Sequence, residues 1–159
     1  MSTYPSFSPR VIGQAEKTLN AILVRELAGT GLTEPQWVIL TLAVSDGTSR
    51  QETFTRMVAD ALKISETEAR ALIGDLVAAK QLRITGEPPA ITVTSAARQR
   101  HSRISAALSD ITQRLWADLP AEDLATAGRA LAIITDRANA ELARGREEAL
   151  MGRPPSGAQ

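Results

Sequence analysis

The stretch from Ser49 to Thr94 reads SRQETFTRMVADALKISETEARALIGDLVAAKQLRITGEPPAITVT, and it decides the fold. Apolar side chains recur at helical spacing over residues 54–62 and again over residues 69–76. Between the two runs, Ser65 and Glu68 have the spacing of a capping box, in which each side chain accepts a hydrogen bond from the other residue's amide. We therefore predict two short helices joined by a tight corner at residues 63–64, which is a helix-turn-helix.

A short hairpin is predicted directly after the second of these helices. Residues 82–85 (LRIT) and 90–94 (AITVT) are rich in β-branched side chains, and the turn residues GEPP lie between them at 86–89. A helix-turn-helix followed by such a hairpin is a winged helix-turn-helix, a module that most often binds DNA. The predicted fold class is therefore mainly α with a small β-hairpin wing.

Four further helices are predicted around this unit. Ser8 and Pro9 begin the first helix, and a capping box over residues 33–36 begins the second. A third capping box, formed by Ser49 and Glu52, is predicted at the start of the helix-turn-helix. Two more helices follow the wing, and a Leu-Pro step at residues 119–120 separates them.

The helices at the two ends of the chain each carry an apolar stripe that must be covered. In a chain of 159 residues, packing these stripes against a second copy is the natural solution, so we predict a homodimer. The predicted organisation is a flexible N-terminus at 1–8, an N-terminal dimerisation helix at 9–31, the winged helix-turn-helix at 32–95, C-terminal dimerisation helices at 96–150 and a disordered tail at 151–159.

The composition excludes several classes of function. There is no cysteine, and the one histidine, His101, cannot form a His-rich metal site by itself. The sequence contains no glycine-rich phosphate cradle and no nucleophile with a histidine partner, so we expect no enzyme, no metal and no cofactor. It lacks a signal-peptide pattern and an apolar run of the ~20 residues that span a membrane, so we expect a cytoplasmic protein. The formal net charge is zero, whereas nucleic-acid-binding proteins usually show a basic footprint.

Four segments, in order along the chain, resemble the MarR family of bacterial transcription regulators. GLTEPQWVIL at 31–40 is similar to the opening of the family's second helix, and LKIS at 62–65 is similar to its helix-turn-helix corner. LVAAKQL at 76–82 resembles the exit from its recognition helix, and VTSAA at 93–97 resembles the return from its wing. The resemblance implies an intertwined homodimer that binds a pseudo-palindromic DNA duplex, with one recognition helix per half-site. It also implies release from DNA by small aromatic acids or other hydrophobic ligands.

The resemblance implies which residues contact DNA, and the sequence departs from the family pattern at three points of this surface. The expected DNA contacts are Ser65, Thr67, Arg70, Arg56, Lys63 and Arg83. The wing is short and its GEPP tip has no arginine, where the family usually inserts one into the minor groove. Three carboxylates on the recognition helix surround Arg70 and would repel a polyanion. Lys80 and Gln81 replace a glycine that usually ends this helix, which predicts an altered exit geometry.

The second candidate site is a ligand pocket, although its residues also have a purely structural interpretation. Its candidate residues are Trp37, Trp116, Arg100 and His101, because the family's pocket lies between the dimer helices and the winged domain. The two tryptophans also fit ordinary core positions, and the basic cluster over residues 98–103 also fits a solvated helix face.

Two hypotheses of different class therefore stand. The first is a dimeric regulator of transcription, a repressor, that binds double-stranded DNA and responds to a small-molecule effector. The second is a MarR-like dimer that has weak or no affinity for DNA and works as a ligand-binding or protein-interaction module. The charge of the surface around Thr67 and Arg70 distinguishes the two hypotheses.

Overall fold

The computed structural model describes residues 5–151, which form six helices and three short strands. Residues 1–4 and 152–159 of the predicted flexible ends lie outside the described residues, and Met151 is the last residue of the final helix. The elements are α1 (Pro9–Leu27), α2 (Glu34–Asp46), β1 (Ser49–Arg50), α3 (Gln51–Leu62), α4 (Glu66–Ala78), β2 (Leu82–Thr85), β3 (Ala90–Val93), α5 (Ser95–Trp116) and α6 (Ala121–Met151).

Two of the three predicted capping boxes are confirmed. The Thr33 hydroxyl accepts from the amide of Gln36 at 3.4 Å, and the Ser65 hydroxyl accepts from the amide of Glu68 at 3.2 Å. In both boxes the side chain of the later residue also accepts from the amide of the first. Because each box satisfies amides that have no partner inside the helix, the starts of α2 and α4 are fixed locally.

The third predicted capping box, at Ser49, is wrong. Ser49 belongs to β1 and pairs with Ile91 of β3, while Arg50 precedes α3 and makes no side-chain capping bond. Because α3 begins at Gln51, Ser49 lies one residue too early to cap the helix. The start of α3 is held instead by a long-range bond, in which the amide of Gln51 donates to the carbonyl of Pro89 at 3.0 Å.

Both helices of the helix-turn-helix end at a lysine in the left-handed conformation. Lys63 follows α3 with φ 55°, and Lys80 follows α4 with φ 56°. After α4, the Lys80 amide donates to Val77 O at 3.0 Å and the Gln81 amide donates to Leu76 O at 2.8 Å, which is a Schellman motif. The predicted change of exit geometry is therefore wrong, because Lys80 adopts the conformation that a glycine would supply.

The sheet adds one strand to the predicted hairpin. Its order is β1-β3-β2 with antiparallel pairing throughout, and Leu82 pairs with Val93 at the base of the wing. The sequence analysis missed β1 because a two-residue strand has no periodicity of its own. β3 therefore lies at the centre of the sheet, where Ile91 and Val93 face the core.

The described residues pack into two compact units, and the boundary between them follows Gln113 within α5. The first unit contains one hydrophobic core, built around Phe54, Ile39 and Leu40, which are fully buried. Helices α2, α3 and α4 and the sheet enclose it, with contributions from α1 and α5. This core fixes the position of α4 and the wing relative to each other.

The second unit, from Arg114 onward, consists mainly of α6, which is about 46 Å long at the rise of an α-helix. Its first turn carries Glu122 and Asp123, whose carboxylates complement the helix dipole. Several of its large apolar side chains are exposed, among them Leu131, Ile134 and Leu142. None of the described helices is both long enough and apolar enough to cross a membrane.

Candidate nucleic-acid interface

The outer face of α4 is the candidate reading surface. Ala69, Ile73 and Leu76 are buried and hold the helix against the core, and Leu72 and Val77 are partly buried against the same core. The exposed residues of this face are Glu66, Thr67, Glu68, Arg70, Ala71, Gly74 and Asp75. A Cβ added at Gly74 would meet nothing within 4 Å, so the surface is open at that point.

Arg70 forms an ion pair with a carboxylate one helical turn earlier. Its Nη2 atom lies 3.0 Å from Oε2 of Glu66, and both side chains are exposed. An exposed i,i+4 pair of this kind contributes ~0.3–0.5 kcal/mol, so a stronger anion can compete for the guanidinium. Arg70 is thus available to a ligand, but Glu66 lies beside it and reduces the positive potential.

Ser65 and Glu68 are occupied by the capping box. The Ser65 hydroxyl donates to Glu68 Oε2 at 2.7 Å, and the Ser65 amide donates to the same atom at 2.9 Å. The hydrogen bond from this amide, followed by that from the hydroxyl, lowers the pKa of the Glu68 carboxyl below its usual value. Glu68 is therefore charged at neutral pH. Thr67, next to it, is exposed and makes no side-chain hydrogen bond within residues 5–151.

The three remaining candidates for DNA contact lie on three different elements. Lys63 Nζ, at the corner between the helices, is 3.0 Å from Asp60 Oδ1. Arg56 is exposed on α3, and Arg83 is exposed on β2. Within residues 5–151, neither arginine takes part in an ion pair. Arg56 on α3 and Arg83 on the wing thus carry unshared positive charge, whereas Arg70 on α4 is paired with Glu66.

A contact between α2 and α5 brings together two of the four candidate pocket residues. The Trp37 and His101 rings stack with their centroids 4.6 Å apart and their planes 16° apart. A hydrogen bond of 3.1 Å joins His101 Nε2 to the Thr41 hydroxyl, and a longer one of 3.5 Å joins Nδ1 to Ser105. Burial lowers the pKa of the His101 imidazole, and the nearby Arg98 charge lowers it further. His101 is partly buried, so the alternative of a solvated helix face for residues 98–103 does not hold for this residue.

Arg100 lies apart from that stack, in a groove of about 460 Å³ between the end of α1 and α5. Its Nη1 atom donates to the carbonyl of Thr30 at 3.1 Å, which orients the guanidinium. Arg103 and Glu26 supply further charges, and Ile104 with Ala107 supplies an apolar wall. Trp37 is buried in the core, and Trp116 ends α5 in the second unit.

Sequence reasoning missed two features of the site. It identified Glu66 only as a carboxylate on the surface and not as the partner of Arg70, although the i,i+4 spacing is a usable signal. It also missed a cleft between α3 and the wing tip, lined by Arg50 and Arg56, which depends on tertiary contacts. Within residues 5–151, no three His, Asp or Glu side chains come together as a metal ion would require.

Comparison with solved structures identifies the fold. BpsR of Bordetella bronchiseptica, whose DNA binding is regulated by 6-hydroxynicotinic acid, is 19% identical over 86% of this chain and 98% of its own, with a TM-score of 0.66. A MarR family regulator from Rhodococcus sp. RHA1 is 17% identical over 78% of this chain and 89% of its own, with a TM-score of 0.65. NadR in complex with 4-hydroxyphenylacetate is 17% identical over 84% and 98%, with a TM-score of 0.69.

The chain therefore has the winged-helix fold of MarR family transcription regulators, as its sequence motifs predict. No protein-family model and no curated protein sequence matches it. At these identities the likeness establishes the fold, and the function has to be argued from the surface of this chain.

Proposed function

We propose that the chain is a cytoplasmic, dimeric bacterial regulator of transcription that binds double-stranded DNA, acts as a repressor and is released by a small organic acid. One observation carries the proposal: α4 packs against the core of a winged scaffold with Thr67 and Arg70 on its outer face. Both residue types can hydrogen-bond to base edges in the major groove. Lys63, Arg56 and Arg83 flank this face and would contact the backbone. Ser65 flanks it as well, and its hydroxyl would have to exchange Glu68 for a phosphate oxygen to make such a contact.

The dimer is supported by the apolar surface of α6. Exposed side chains of Leu131, Ile134 and Leu142 recur at helical spacing along a helix that has no fully buried residue among those described. Burying apolar surface contributes about 25 cal/mol per Å², so a stripe of this length favours association. We propose that a second copy of the chain covers it, with α1 contributing Leu19 and Val24, which are exposed as well. The N- and C-terminal boundaries predicted for dimerisation, 9–31 and 96–150, remain part of this proposal.

The effector is proposed to bind in the groove of Arg100 and Arg103. Two guanidinium groups suit a carboxylate, and the wall formed by Ile104 and Ala107 suits a small apolar ring. The ligands of BpsR and NadR, 6-hydroxynicotinic acid and 4-hydroxyphenylacetate, belong to this chemical class. Binding that favours one arrangement of the dimer over another would couple the groove to the DNA surface.

A specific observation favours the alternative function. Glu66, Glu68 and Asp75 outnumber Arg70 on the exposed face of α4, and Glu66 is already paired with it. A net negative face repels the phosphate backbone. Under this alternative the dimer has weak or no affinity for DNA and acts as a ligand-binding or protein-interaction module.

Fluorescence anisotropy separates the two functions. The probe is labelled duplex DNA from the protein's own upstream region, titrated at two salt concentrations beside a scrambled duplex of the same length. Tight and selective binding that weakens with salt is the result expected for a regulator. Binding to the upstream duplex that is no stronger than binding to the scrambled one would favour the alternative.

The effector is tested in the same assay. We expect 4-hydroxyphenylacetate or a related aromatic acid to weaken binding to the upstream duplex. Arg103→Gln should remove this response and leave binding without ligand unchanged, because Arg103 lies on α5, away from α4 and the wing. Arg114→Gln, which makes the same change of charge further along α5, serves as the matched control.

A further inference from the structure

A cleft of about 270 Å³ lies between the first turn of α3 and the tip of the wing. Arg50 and Arg56 line it on one side, and Pro88 and Pro89 line it on the other. The hydrogen bond from the Gln51 amide to the Pro89 carbonyl, 3.0 Å long, joins the two sides. Pairing of β1 with β3 holds Arg50 in the same sheet as the wing. The cleft is therefore a fixed part of the winged unit.

The positive charge of this cleft is available to a ligand. Both arginine side chains are exposed, and within residues 5–151 neither makes an ion pair or a side-chain hydrogen bond. Lys63 and Arg70 differ in this respect, because each has a carboxylate at 3.0 Å. Guanidinium groups bind phosphate oxygens through charge-assisted hydrogen bonds, so the cleft has the chemistry of a phosphate site.

Two further features of the cleft affect its potential. The N-terminus of α3 opens onto it without a side-chain cap, and the helix dipole adds partial positive charge there. Glu52 also lines the cleft and opposes an anion. The side chains that line the cleft carry two positive charges and one negative charge, so their net charge is positive, and the helix N-terminus adds to it.

The tip of the wing is poorly suited to serve as the anchor. Its strands extend only about 10 Å from Leu82 to Thr85, at about 3.3 Å per residue, and its tip carries Glu87 and no arginine. We infer that the cleft of Arg50 and Arg56 binds a backbone phosphate of the DNA duplex and is the main anchor that holds the winged unit on the DNA. This inference rests on the proposed function, to which it adds the site and the chemical group that is bound.

The test measures the salt dependence of duplex binding for three variants and one control. Arg50→Gln and Arg56→Gln each remove one positive charge from the cleft, and Glu52→Gln removes the opposing carboxylate. Lys17→Gln makes the same change of net charge on the exposed side of α1 and is the matched control. Binding is measured by anisotropy with the upstream and the scrambled duplex, and circular dichroism verifies that each variant is folded.

We expect each arginine variant to bind both duplexes more weakly and by the same factor, since phosphate contacts are independent of sequence. The slope of log affinity against log salt should fall by about 1 for each arginine removed. Glu52→Gln should bind both duplexes more tightly, and Lys17→Gln should retain the slope of the parent. If the parent binds DNA and both arginine variants keep its slope and affinity, the cleft is not the anchor, although the proposed function stands. If the parent binds no duplex at all, the proposed function fails, and the inference fails with it.

Discussion

Glu66 controls how much of the Arg70 charge a ligand can use. The two side chains pair at 3.0 Å on the exposed face of α4, where water and salt screen the attraction. In a complex with DNA the guanidinium would have to leave the carboxylate, and the carboxylate would remain near phosphates. Glu66 therefore opposes binding both by holding Arg70 and by its own charge.

We predict that Glu66→Gln increases affinity for the upstream duplex by roughly fivefold, which corresponds to the ~1 kcal/mol upper range of an exposed ion pair.

We predict that Arg70→Ala loses ~1–3 kcal/mol of binding free energy on the upstream duplex and much less on the scrambled one, because the proposed base contact is lost. Both changes are measured by anisotropy at constant salt. Glu147→Gln on α6 controls for net charge. Unchanged affinity in both α4 variants would exclude α4 as the reading surface.

The surroundings of His101 predict that the stability of the folded chain depends on pH near neutrality. Burial lowers the pKa of its imidazole below the ordinary value of 6.5, and the Arg98 charge lowers it further. The unfolded chain therefore binds more protons than the folded chain at pH values between the lowered pKa and 6.5. The stability contributed by neutral His101 is complete above pH 6.5 and is lost as the pH falls through the lowered pKa.

We predict that His101→Phe reduces the loss of stability on acidification from about pH 7 to about pH 5, the range in which histidine titrates. Phenylalanine keeps an aromatic ring against Trp37 but cannot take up a proton. The measurement is the urea midpoint of unfolding of parent and variant across this pH range. Both proteins have the same carboxylates, so the difference between their pH profiles reports on His101. If the urea midpoints of parent and variant change with pH in parallel, His101 is not the source of the pH dependence.

At the scale of the elements, the helix-turn-helix depends on two lysines in an unusual conformation. Lys63 and Lys80 have positive φ, and each ends its helix through a Schellman motif. For an L-residue the left-handed conformation costs roughly 1–2 kcal/mol, a cost that glycine avoids. The surrounding hydrogen bonds hold both lysines in place despite this cost.

We predict that Lys80→Gly stabilises the fold by about 0.5–1 kcal/mol, because relief of the left-handed strain exceeds the extra entropy that glycine loses on folding. Ala78→Gly, two residues earlier in the helix, should destabilise it by about 1 kcal/mol. The free energy of unfolding in urea measures both effects. A loss of stability in Lys80→Gly would mean that the lysine side chain makes a contribution that outweighs its backbone strain.

The elements that could be predicted from the sequence are those fixed by neighbouring residues. The capping boxes at Thr33 and Ser65, the corner at Lys63 and the hairpin around Gly86 all depend on residues a few positions apart. The strand β1 could not be predicted, because only its pairing with β3 makes Ser49 extended. The same dependence on long-range pairing caused the error in the capping box assigned to Ser49.

The candidate site was predicted less completely, for the same reason. The outward face of α4 follows from helical periodicity, so Thr67 and Arg70 could be identified. His101 reaches Thr41 across 60 residues of sequence, and no local pattern indicates this contact. The cleft beside Arg50 likewise requires the start of α3 to meet the wing tip. Tertiary packing therefore determines most of the charge arrangement at the site.

At the scale of the whole molecule, zero net charge conceals an uneven distribution. The outer face of α4 is acidic, whereas the cleft between α3 and the wing carries two arginines without carboxylate partners in the described part of the chain. The second unit, described by itself, presents the apolar side chains of α6 to solvent. In the dimer that we propose, the arginine cleft would contact DNA phosphates, and the apolar side chains of α6 would be buried on association.

We predict that the parent chain is a dimer of about twice its 17.0 kDa mass and that Leu131→Glu with Ile134→Glu dissociates it. A carboxylate buried in an apolar interface costs several kcal/mol, which exceeds the contribution of the side chains that it replaces. Light scattering at micromolar concentration gives the mass directly. Ala140→Glu, on the opposite side of α6, should leave the dimer intact. A monomeric parent would contradict the proposed architecture.

Hydroxyl-radical footprinting of the parent protein on its own upstream DNA is the most direct test of the proposal that a dimer of this chain binds a specific DNA site. A dimer with one α4 per half-site should protect two segments related by a twofold axis, with centres about 10 base pairs, or a small multiple of that distance, apart. Uniform weak protection, or no protection at protein concentrations that saturate the anisotropy assay, would contradict sequence-specific binding by this fold.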